Sequence, residues 1–195
     1  MPSHSEEAAH EAIHLEGSNK KIALLIAVLA LFLAFAETLG KSAQTNAISL
    51  NVEASNLWAF FQAKTIRMTV LRTAAEETEI DLPAAADPAL RAAKQKRIED
   101  WKKTAARYDT EPETQEGRKE LAERAKHAEE KRETAMAKYH HFELASAAFQ
   151  IAIVLASATV ITGIMALAWL AGGLGVLGLV FMAIGLLAPH AVHLF

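Results

Sequence analysis

The chain of 195 residues contains no cysteine. That absence excludes disulfides, thiol catalysis, and zinc or iron–sulfur centres held by thiolates. Helix breakers are almost as scarce. No proline or glycine occurs from Lys41 to Leu82, and none from Arg118 to Thr162. Nothing in either stretch forces a helix to stop. Charge of one sign is also missing: acids and bases nearly cancel at −3, which offers no extended nucleic-acid footprint. Finally, charged residues are missing from two regions, 22–36 and 147–188. The 52% apolar content is therefore concentrated there, and the middle of the chain carries most of the charge.

What is present is a long 3-4 apolar repeat. It runs Ile22, Ile26, Leu29, Leu33, Ala36, Gly40, Ala43, Ala47, Leu50, Ala54, Leu57, Phe61, Lys64, Met68, Leu71 and Ala75. Only Lys64 interrupts it. This spacing marks one stripe of a helix packed lengthwise on a partner. The first part, 22–39, is apolar on every face and reaches about 27 Å, just enough to cross hydrocarbon. Ala34-Phe35-Ala36 has the form of a signal-peptidase site, but the repeat passes through it unbroken, which favours an uncleaved anchor. Glu37 and Lys41 stand as an i,i+4 pair at its edge.

A second repeat runs from Leu121 through Phe142, Phe149 and Ala156 to Gly163 and Leu170. Thr110-Glu111-Pro112-Glu113 has capping-box form and predicts the start of that helix. Between the two repeats, Asp87 and Pro88 open a helix to about Tyr108. If the two long helices have equal arms, of about 57 and 50 Å, they form an antiparallel hairpin. The middle helix must then lie at the tip. Its basic residues read as a solvated face.

Ala171-Gly172-Gly173 predicts a tight turn, leaving 174–188 as a short last span of about 22 Å before Pro189. The expectation is an all-α membrane protein with three transmembrane helices and a long antiparallel coiled-coil helical hairpin outside the bilayer. Its parts are a polar tail (1–20), a first span (21–40), a soluble hairpin (41–146) and a transmembrane hairpin (147–195). Candidate packing and oligomer positions are Leu57, Trp58, Phe60 and Phe61, together with the small residues Gly163, Gly175 and Gly178.

Chemical motifs are few. His10-Glu11-Ala12-Ile13-His14 spells H-E-x-x-H, in which two imidazoles on one helix face hold zinc and the Glu acts as base. Its charged flanks, Glu7 and Glu16, and its place in a short terminal helix ending at Gly17 favour a solvated tail. Gly40-Lys41-Ser42 lacks the earlier glycine and the strand of a P-loop. His140, His141, His190 and His193, with Glu143, would share one membrane depth, and a metal or proton-sensing site there is weighed against ordinary interfacial residues. Neither a catalytic residue nor a cofactor is assigned.

The run Gly40-Lys41-Ser42-Ala43-Gln44-Thr45 and the run Trp58-Ala59-Phe60-Phe61-Gln62-Ala63-Lys64-Thr65-Ile66-Arg67, with the glycine-rich apolar end, resemble an uncharacterised bacterial membrane-protein family, domain-of-unknown-function family 4337. The resemblance covers most of the chain after residue 20. It supports the architecture and carries no activity to transfer.

Lys20 and Lys21 before the first span place the N-terminus in the cytoplasm and the hairpin in the periplasm. Lys131, Arg132 and Lys138 before the second span argue the reverse. The leading functional expectation is a self-associating scaffold in a bacterial inner membrane, with lipid and further copies of itself as partners. The alternatives are a channel or transporter-like assembly using Glu37 and Gln150, and, remotely, a zinc hydrolase.

Overall fold

A computed structural model describes the backbone of residues 4–191 and the side chains of residues 20–191. Its helices are α1 (His4–Asp81), α2 (Pro88–Asp109), α3 (Arg118–Thr162) and α4 (Met165–Leu187), with a short 3-10 turn at Leu82–Ala84. No strand occurs among the described residues. The backbone of α1 continues through Gly17, so no separate terminal helix ends there.

The absence of proline and glycine from Lys41 to Leu82 lets α1 run on beyond Gly40 to Asp81. Its threonines do not disrupt it because their hydroxyls donate to carbonyls one turn earlier, as Thr38 does to Ala34 at 2.7 Å and Thr65 to Phe61 at 2.8 Å. Every position of the 3-4 repeat from Ile22 to Ala75 is buried or half-buried, and no fully buried residue of α1 among those described lies off it. In α3 the repeat is covered from Leu121 to Ala156 and fails at Val160, two residues before the helix ends.

By its contacts the chain divides into two units, residues 1–47 with 133–195, and residues 48–132. In the first, Ile22, Leu29 and Ala36 of α1 pack with Ala145, Phe149, Ala152 and Ala156 of α3 and Ala171 of α4. Phe32 stacks on Phe149 with ring centroids 6.0 Å apart. Glycines set the approach of α4. A Cβ added at Gly175 would come within 2.7 Å of Leu29, and one at Gly178 within 2.8 Å of the Phe149 ring. A side chain at either position would push the helices apart.

The turn between α3 and α4 lies at Gly163, not at 171–173. Gly163 adopts φ +70°, which a side chain makes costly, and its N–H closes on Thr159 O at 2.9 Å. Gly172 and Gly173 need no such angle and stay helical. The last apolar helix is consequently 23 residues long, about 35 Å, which is full bilayer thickness.

In the second unit, Leu57, Leu121 and Ala125 form the core, with Trp58 and Phe61 against it. Asp87 caps α2 by accepting from the Ala89 N–H at 2.9 Å, and Pro88 is its first residue. Helix α2 does not sit at the tip. It doubles back along α1, where Lys102 meets Glu79 at 2.5 Å and Tyr108 reaches Lys64. That return covers about 25 Å. Helix α3 therefore starts beside Thr65, about four turns short of the end of α1, and runs antiparallel to it, from Arg118 on Thr65 (2.9 Å) to Arg132 on Asn51 (3.2 Å). The premise of equal arms is what misplaced α2.

The expected capping box does not start α3 either. Thr110 Oγ1 donates to Glu120 Oε1 at 2.7 Å, and the Glu111 N–H donates to Glu120 Oε2 at 3.2 Å. Residues 110–117 form a turn closed by a carboxylate ten residues on, and a Cβ at Gly117 would lie 2.7 Å from Thr110 Cα.

These glycines predict distinct outcomes in thermal unfolding of detergent-purified protein, followed by circular dichroism. Gly163→Ala costs about 1 kcal/mol because of its backbone angle. Gly178→Leu costs about 1–3 kcal/mol by overpacking against Phe149. Gly172→Ala is neutral or stabilising.

Candidate functional site

The most densely connected polar cluster surrounds Lys64, the one interruption of the first repeat. Lys64 is buried, and three groups receive its charge. Its Nζ lies 3.6 Å from Glu111 Oε2, 5.3 Å from the Phe60 ring centre and 5.1 Å from that of Tyr108. Beside it, Arg118 sits 5.0 Å over the Phe61 ring, donates to Thr65 Oγ1 at 2.9 Å, and meets Asp109 Oδ1 at 3.1 Å. Here the turn between α2 and α3 docks on α1. The arrangement neutralises charge and fixes register. It presents no nucleophile paired with a base.

The predicted aromatic cluster divides between roles. Leu57 is buried, Trp58 and Phe61 pack on the same core, and the Trp58 Nε1–H donates to Glu129 at 2.8 Å. The two rings meet edge to face at 5.5 Å. Phe60 is partly exposed and turned to Lys64. Gly175 and Gly178 lie at helix contacts, whereas nothing stands within 4 Å of a Cβ at Gly163.

Of the histidines described, His140 Nδ1 lies 3.8 Å from Glu143 Oε2. His141 is buried, donates from Nε2 to Pro189 O at 3.1 Å, and stacks on Phe181. Its Nδ1 finds no partner among the described residues. His190 Nε2 lies 3.0 Å from Thr134 Oγ1. Together these contacts fasten the end of α4 to α3. Among the described residues no three His, Asp or Glu side chains are placed to hold a metal. His193 and the side chains of His10, Glu11 and His14 lie outside the described residues. Glu37 accepts from Gln150 at 3.2 Å instead of pairing with Lys41, and Gln150 also donates to Ser146. A shallow open cleft beside the start of α2 is lined by Leu82, Pro88, Arg91 and Gln95, with no titratable pair in it.

Sequence reasoning saw Lys64 as a flaw in a pattern and did not see its use. Its partner Glu111 lies far along the chain, so no local signal joins them. The link from Thr110 to Glu120 was hidden by a nearer decoy, Glu113.

The described fold defines an all-helical protein with three helices long and apolar enough to cross a membrane. Residues 18–188 match a family described as a domain of unknown function (DUF4337), and the chain belongs to that family. No curated protein and no solved structure matches it.

Two predictions test the cluster. Glu111→Leu leaves the Lys64 ammonium half-satisfied in a buried site and costs about 2 kcal/mol. Lys64→Met combined with Glu111→Gln recovers most of that in thermal denaturation. The Glu120 carboxyl is held below its ordinary value, first by the Thr110 hydroxyl, then by its own N–H and that of Glu111. A depressed folded value gives stabilisation that is present above the unfolded value and is lost as pH falls through the folded one. The protection factors of the amides across 110–117, corrected for the intrinsic pH dependence of exchange, therefore fall on acidification below the ordinary carboxylate range, and Glu120→Gln removes that dependence.

Proposed function

We propose that this protein is a structural and interaction protein of a bacterial inner membrane. Three helices cross the bilayer, and the polar helices form an antiparallel coiled-coil hairpin outside it that associates with further copies. The observation that carries the membrane reading is uncovered apolar surface. Of the most apolar window in each long helix, only 17%, 33% and 22% is buried within the chain. Phe35, Val154, Trp169 and Val176 are among the large side chains left exposed. Water does not tolerate so continuous an apolar surface, and lipid does.

Assembly is the reading of the polar half. Its own core is small, with a few large side chains and many alanines. The charge balance of the first span supports a cytoplasmic N-terminus and a periplasmic hairpin. No catalytic role is assigned.

Native mass spectrometry of detergent-purified protein is expected to show dimers or larger oligomers, and the protein is expected to stay with the membrane through alkaline extraction. A monomer at all concentrations overturns the assembly reading. Release by alkali overturns the membrane one.

A further inference from the structure

Helix α1 carries a second apolar stripe on the side away from its first. We infer that this outward face between Ile48 and Val70 is where a second copy of the chain docks, an inference that rests on the self-association proposed above. At 100° per residue, Ile66 lies about 200° from Lys64, so the two faces are nearly opposite. Ala59, Ala63, Ile66 and Val70 keep the 3-4 spacing, and Ile48 and Val52 lie on the same line toward the start of the stretch. All six are exposed, Val52, Ile66 and Val70 to 53%, 64% and 60%. No other described segment of 48–132 covers them.

The chemistry of the face selects its occupant. From Ile48 to Val70 it holds no acid or base, and the polar residues along it, Ser55 and Gln62, are uncharged. Thr73, the next position on the same line, is uncharged too. The charges of this stretch lie elsewhere: Lys64 on the covered face, Glu53 and Arg72 roughly a quarter-turn or more from the outward stripe, and Arg67 on its flank, about 60° from Val70 and about 100° from Ile66. Copies inserted in one bilayer share one direction, so their stripes run parallel and in register. Each residue then meets its own counterpart, and any charge would meet a like charge. A charge-free stripe is what in-register self-pairing requires. A foreign partner gains specificity from opposite charges, and this face offers it none. Alanines at 59 and 63 allow close approach between the flanking β-branched residues Val52, Ile66 and Val70.

The size is also consistent with this partner. A stripe of about 33 Å by 10 Å gives roughly 330 Å² per copy, somewhat under half of what freely diffusing partners use. Tethering in one bilayer raises effective concentration and compensates for the smaller area.

The natural lack of cysteine makes the test direct. Full-length protein carrying Ile66→Cys or Val70→Cys is oxidised in native membranes, beside Arg67→Cys and Arg72→Cys as off-face positions. Disulfide dimers are expected several-fold more at 66 and 70 than at 67 and 72. Ile66→Glu is expected to lower the dimer fraction about tenfold, because it sets like charges against each other. Equal cross-linking at all four positions reports random collision and overturns the proposal. Oligomers in native mass spectrometry without preference for 66 and 70 overturn this face and leave self-association standing. Monomers throughout remove both. Shielding of the on-face thiols from maleimide without disulfide formation assigns the face to another protein or to lipid, and overturns it too.

Discussion

The fold depends on one apolar stripe keeping its phase along α1. A helix satisfies its own backbone hydrogen bonds, so its length is limited only by breakers and by what covers its side. In the first unit the stripe meets α3 and α4, and in the second it meets α2 and then α3. Large residues such as Leu57 and Phe149 each contribute about 1.5–3 kcal/mol when buried. The many alanines contribute less transfer energy, but they bring the backbones close enough for continuous contact. Helix propensity adds only tenths of a kcal/mol per residue. Packing of the stripe outweighs it.

The single polar residue on that stripe shows how specificity enters. A hydrophobic residue at position 64 would remove the one group on the stripe that distinguishes one register from another. A buried ammonium accepts only an arrangement that brings a carboxylate and aromatic faces to it, here Glu111, Phe60 and Tyr108. The cost of burying the charge falls on every other register. Arg118, at the start of α3, repeats the device with Asp109 and Phe61. Together they fix where α2 ends and α3 begins.

Much of this was legible in the sequence, for a definite reason. A 3.6-residue period, an Asp-Pro helix start and the absence of breakers are local properties. They located the covered faces of α1 and most of α3, and the first turn of α2. What failed was non-local. Thr110 and Glu113 have the right spacing for a cap, yet the carboxylate that binds Thr110 is Glu120, because Gly117 lets the turn fold tightly back on itself. Gly172-Gly173 looked like a turn, yet a glycine pair breaks a helix only where the backbone needs a forbidden angle. That need fell on Gly163. The path of α2 was deduced from arm lengths, which presuppose the very turn positions in question.

The aromatic cluster shows why surface, and not chemistry, is the informative property of this chain. Trp58, Phe60 and Phe61 stand out in the sequence as candidate packing and oligomer positions. Two of them are satisfied within the chain by Leu57, Leu121, Ala125 and Glu129. The third, Phe60, is partly exposed and carries Lys64 on its ring. The apolar excess of α1 shifts to plain Val, Ile and Ala on its other side, which drew no notice because no motif contains them. A helix in water needs only one apolar face to be held by its own chain. A second face opposite the first, kept free of charge over about 33 Å, adds nothing to that fold. Such a face exposes apolar area at a cost to solubility, and the docking inferred above would account for it.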